Sequence, residues 1–142
     1  MGRRWLWWWL VVLQCCVACA LRSGEQVVIL NDATGAQTAL AIRFVSSAGL
    51  ATRTLIVSHP QAAYELRIQG QLQRGAFALA VGDVRNPQQR VQMTPGAVVV
   101  GVLQTTSNAD GHIEVHEIAE NAQGGEYQLQ VVLVDKRVGR ER

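Results

Sequence analysis

The sequence predicts an all-β domain, an antiparallel β-sandwich of eight or nine short strands behind an N-terminal export segment. Three observations carry this expectation. Apolar and polar residues alternate with a period of two along most of the chain, as half-buried strands require. Turn-forming clusters of Gly, Pro, Asn and Asp punctuate those stretches at fairly even spacing. All three cysteines and all four tryptophans lie in the first 19 residues, so the rest of the 142-residue chain can form no internal disulfide.

The first element is the leader, residues 1–20. Arg3 and Arg4 precede a charge-free run from Trp5 to Leu21 that ends in the small-residue segment "VACA". This is the three-part pattern of a secretory signal. At seventeen residues the run is short for a permanent span, which needs about 20 apolar residues. Ala18-Cys19-Ala20 fits a signal-peptidase site. Cys16-Val17-Ala18-Cys19 resembles the bacterial lipoprotein lipobox, with Cys16 where a leucine is usual. That resemblance implies Cys19 as the lipid attachment point. Lipidation, cleavage and an uncleaved anchor remain three alternatives. In each, the cysteines serve export, and a C-x-x-C inside an apolar leader is no redox or zinc motif.

The second element is the domain, residues 21–135. "ALAIRFV" puts Leu40, Ile42 and Phe44 on one face, and "YELRIQGQLQ" does the same with Tyr64, Leu66, Ile68 and Leu72. "GAFALAV" aligns Phe77, Leu79 and Val81, and "EYQLQVVLV" aligns Tyr127, Leu129, Val131 and Leu133. Glutamines fill many of the alternate positions and read as an uncharged wet face. The runs "QVVIL" (26–30), "RTLIV" (53–57) and "AVVVGVL" (97–103) read as further, more fully buried strands. Turns are expected at "SSAG" (46–49), "QRG" (73–75) and "NAQGG" (121–125), among others. Residues 112–122 fit either a strand over 113–115 with a bulge before Ile118 or a short helix, and the strand is preferred.

The last element is the tail, residues 136–142, with four basic residues and one acidic. It reads as a solvated end. Without leader and tail, seven basic residues face ten acidic ones. Such a mildly acidic body excludes a nucleic-acid binder.

"GDVRNPQQRVQM" after the "GAFALAV" strand, followed by "GGEYQLQVVLV", resembles jelly-roll or immunoglobulin-like modules of exported bacterial proteins over about residues 62–134. The resemblance implies an accessory or binding domain and carries no catalytic residue.

Candidate chemistry is sparse. His112 and His116 share a strand face with Glu114, a set that could hold zinc. The order H-I-E-V-H lacks the general base of an H-E-x-x-H metalloprotease. Ser58-His59 offers a hydroxyl beside an imidazole, but "SHP" reads as a loop between strands, adjacent strand residues would point to opposite faces, and no G-x-S-x-G elbow exists. "NDATG" and "NADG" read as turns and not as calcium loops. The four aromatic rings of the domain fall in phase with apolar neighbours, so no stacking platform for sugars is expected.

The sequence therefore points to a non-catalytic accessory or protein-interaction module of the cell envelope, lipid-anchored, or secreted or periplasmic. The alternatives are a metal-binding protein or metal-dependent enzyme using His112, His116 and Glu114, and a structural envelope component. The expected partners are the membrane, through a lipid anchor, and an envelope protein. No cofactor, nucleic acid or carbohydrate is expected.

Overall fold

The computed structural model describes residues 21–83, 85–86 and 89–134. The leader with Cys19 and the basic tail lie outside the described residues.

Seven strands form one antiparallel sheet: β1 (Leu21–Ser23), β2 (Gln26–Asn31), β3 (Gln37–Ile56), β4 (Ala63–Val81), β5 (Arg90–Met93), β6 (Val99–Thr106) and β7 (His112–Leu133). Three of them, β3, β4 and β7, run for 20, 19 and 22 residues. A straight strand of that length would reach roughly 65 Å. A domain of about 100 residues has a radius of gyration of about 13 Å. The long strands must therefore bend, and they bend together. The register slips between Ser47 and Gly49 on β3 and between Arg74 and Ala76 on β4, both opposite residues 119–123 of β7.

Each slip falls on a residue that tolerates positive φ. Gly75 has φ 83° and faces Asn121, itself at φ 47°. A Cβ on Gly75 would run into the Asn121 carbonyl, so the bend needs glycine there. The bends fold the sheet into two layers. The larger layer orders β2, the first half of β3, the second half of β7, the first half of β4, and β6. The smaller layer holds the other halves of β3, β7 and β4, with β5 beyond. β1 pairs with residues 46–48 at the bend.

The inner faces meet in one core, in which Phe77 of the smaller layer lies 5.0 Å from Phe44 and 5.7 Å from Tyr127 of the larger one. All four rings of the domain point inward, as their phase predicts.

The antiparallel sandwich stands, with seven strands among the described residues. The segments at 46–49, 73–75 and 121–125 are bends within strands, where turns between strands were expected. Residues 112–122 are strand, with the irregularity displaced past Ile118: Ile113, Val115, Glu117 and Ala119 all face inward. β5 and β1 are strands that the periodicity did not reveal.

Candidate functional site

Alternation sends one set of side chains from the larger layer away from the core. Cross-strand register aligns them in rows: Val28, Ala41, Gln128, Gln69 and Val100 in one, and Gln26, Arg43, Glu126 and Gln71 in the next. This outer face is hollowed into a cleft of about 510 Å³, with Val28 on one rim, Val98 on the other and Gln69, Gln71 and Gln128 on its floor. A second hollow of about 1040 Å³ continues it along the strands toward Gln73 and Gln123.

One polar rung crosses the floor where the two hollows join. Arg43 donates from Nε and Nη2 to Glu126 Oε2 at 3.2 and 3.0 Å, and Gln71 Nε2 donates to Glu126 Oε1. Arg43 is well exposed, so the ion pair adds little stability and leaves its other donors free for a ligand. Each glutamine offers two donors and an acceptor. Glycosidic hydrolysis by the usual route needs two carboxyl groups about 5–10 Å apart. Among the described residues, Glu126 is the one carboxylate lining either hollow, and it is already engaged.

A second polar cluster lies inside the sandwich. Glu117, 1% exposed, receives Arg53 Nε at 2.6 Å and the Tyr127 hydroxyl on Oε1. Arg22 Nη2 meets its Oε2 at 2.7 Å as an ion pair, without the alignment of a hydrogen bond. Both arginines also hold Glu25, and the Arg22 guanidinium lies 5.2 Å from the Phe44 ring centre. Burial raises the Tyr127 phenol, and the Glu117 charge raises it further. Burial also pushes the Glu25 carboxyl up. The hydrogen bonds and charges of Arg53 and Arg22 outweigh that and leave it below its ordinary range. The cluster fastens β1 and β3 to β7.

The residues singled out from the sequence are scattered. His112, Glu114 and His116 do follow one another on the outer face of β7. At about 3.3 Å per residue the two histidines stand about 13 Å apart along the strand. His116 Nδ1 is instead 3.0 Å from Thr52 Oγ1. Among the described residues no group of three His, Cys, Asp or Glu side chains can hold a metal ion.

Ser58 Oγ and His59 Nδ1 do meet, at 2.8 Å, because the pair sits in a turn and not in a strand. The pair is exposed, and among the described residues no carboxylate bonds the His59 ring. Asp32 Oδ1 is occupied by its own turn, accepting from Thr34 N, Thr34 Oγ1 and Ala36 N. Asn108 Oδ1 likewise accepts from Asp110 N and His112 N.

Sequence reasoning missed two features. The cleft's glutamines were visible only as a wet face. Glu117 was hidden by a bulge expected before Ile118, whereas the register breaks between Ala119 and Ala122 and the phase of Ile113 and Val115 continues onto Glu117.

No known protein family matches the chain, and no curated protein is similar to it. Solved structures do share its outline. A xylan-binding domain, CBM22-1 of Paenibacillus barcinonensis Xyn10C, is 15% identical over 82% of this chain and 85% of its own, at a TM-score of 0.42. A carbohydrate-binding module of Cellvibrio mixtus lichenase 5A, in complex with cellotriose, is 15% identical over 84% and 98%, at 0.32. The enzymatically active domain of bacteriophage CBA120 tailspike protein 4 is 14% identical over 81% of this chain, at 0.42, and the match spans only 19% of that protein. With xylan- and cellotriose-binding modules among its solved neighbours, the expectation of no carbohydrate partner no longer stands. That expectation weighed ring stacking alone and left hydrogen bonding by amides out of account. At these identities the neighbours carry neither family nor ligand over to this chain, which stands as an antiparallel β-sandwich with a glutamine-floored cleft on its larger layer.

Proposed function

We propose that this domain is a non-catalytic binding module that holds a polyhydroxylated chain, a glycan, in the cleft of its larger layer. The carrying observation is the floor itself: Gln69, Gln71 and Gln128 beside the Arg43–Glu126 rung, between aliphatic rims at Val28 and Val98. Amides match sugar hydroxyls as mixed donors and acceptors, while valine rims suit the C–H surfaces of a sugar ring. A hollow that continues along the strands suits a chain better than a single small molecule. We also propose that the module works outside the cytoplasm, fixed at the envelope through Cys19 or released by cleavage after Ala20.

The test is affinity electrophoresis of the full chain in gels containing soluble xylan, β-glucan or galactan. Retardation by at least one polysaccharide is expected, with Gln69→Ala and Gln128→Ala each weakening it. Loss of one amide–hydroxyl bond of about 0.5–1.5 kcal/mol corresponds to about 2- to 12-fold in affinity. Equal mobility with and without every polysaccharide removes the glycan reading.

A further inference from the structure

We infer that β2 is a self-pairing edge, through which two copies of this chain join their larger layers into one continuous sheet. β2 hydrogen-bonds to β3 on one side only, and among the described residues its other edge has no partner strand. All six of its residues are exposed. On the outer face this is ordinary. On the inner face it is not: Val27 and Ile29 lie opposite Ile42 and Leu40, which are buried, yet they are themselves 40% and 46% exposed. β2 thus overhangs the smaller layer as an apolar ledge continuous with the core.

The segment Gln-Val-Val-Ile-Leu-Asn has no charge, no proline and four consecutive apolar residues. Soluble proteins normally block an open edge with charges or proline. The neighbouring carboxylates do not guard it either. Glu25 is held by Arg22 and Arg53, and Asp32 by its own turn.

These features select a second copy as the occupant. A second copy brings the same uncharged edge and the same half-exposed Val27 and Ile29 to meet this one. Under a two-fold axis through the sheet beside Val28, antiparallel pairing sets Val27 against Ile29 of the other copy and Val28 against its twin. Inner face then continues inner face, as an isologous contact requires. The two ledges bury each other, and no like charges are opposed between residues 26 and 31. The pairing does not rest on what the cleft binds, although it sets the Val28 rims of the two clefts side by side.

The test uses the full chain carrying Val28→Cys, oxidised mildly and digested. Paired strands hold opposed Cα atoms about 4.5–5.5 Å apart, within disulfide reach. Mass spectrometry of the linked peptides separates a bridge between the two introduced thiols from any bridge made by leader cysteines. Val100→Cys is the control, at a position 73% exposed on β6 at the opposite edge. We expect at least tenfold more bridging from Val28→Cys than from Val100→Cys, and an Ile29→Lys chain with a lower sedimenting mass than wild type. Equal bridging at the two positions, or a mass indifferent to Ile29→Lys, overturns the proposal.

Discussion

Arg53 Nε approaches Glu117 Oε1 to 2.6 Å inside the sandwich, on an oxygen that also accepts the Tyr127 hydroxyl. This ties the second half of β3 to the first half of β7 and reaches across the core to the second half of β7. Glu117 is therefore the group on which both layers converge.

Glu117→Leu removes the acceptor for Arg53 and the Tyr127 phenol, and the ion-pair partner of Arg22, in one step. We expect a loss of about 3–5 kcal/mol, the usual effect of deleting one member of a buried ion pair. Urea denaturation measures it. Adding Arg53→Met to that variant should recover part of the loss, since a half-buried guanidinium left with Glu25 as its one remaining carboxylate is then gone too. A loss under about 1 kcal/mol in the single variant would contradict this role.

Glu25 sets an acid limit. Burial raises its folded pKa, but Arg53 and Arg22 outweigh burial and leave it below the ordinary value. Its contribution is therefore present above the unfolded value of about 4.3 and is lost as pH falls through the folded one. Stability measured from pH 7 downward should fall less steeply below about pH 4 in Glu25→Gln than in the wild type.

Tyr127 sets an alkaline limit of opposite sign. Burial, then the Glu117 charge, raises its pKa. The neutral phenol stabilises fully below the unfolded value of about 10, and that contribution declines as pH rises beyond it. Tyr127→Phe should flatten the loss of stability above about pH 10. Ultraviolet titration should show a tyrosine that ionises only on unfolding.

Gly75→Ala tests the bend. Its φ of 83° and the facing Asn121 backbone leave no room for a methyl group. We expect a loss of about 1–3 kcal/mol, as for other strained backbone positions. Gly35→Ala, also at positive φ but with open space around it, should cost less. Thermal melts of the two variants side by side give the comparison.

Cys19→Ser tests the anchor. Fatty-acid label should enter the wild-type chain and be absent from the variant. An unlabelled wild type that starts at Leu21 would instead establish cleavage after Ala20.

Alternation in Leu40–Phe44, Tyr64–Leu72 and Tyr127–Leu129 was sufficient to assign strands and their buried faces, because side-chain direction along a strand is a local property. The phase that carries Ile113 and Val115 inward also carries Glu117, but a bulge assigned too early concealed it. The glutamines of the cleft were visible as polar, not as gathered: β2, β4 and β7, distant in sequence, must come together in one curved sheet before their amides line one hollow.

By itself the sequence determined the alternating stretches of the long strands, the inward rings and the glycine-rich points where the backbone takes positive φ. Only the tertiary structure decided whether Gly49, Gly75 and Asn121 would end a strand or bend one. The same dihedral angle serves a hairpin and a bulge. Which of them forms depends on whether a partner strand continues alongside, and that partner comes from elsewhere in the chain.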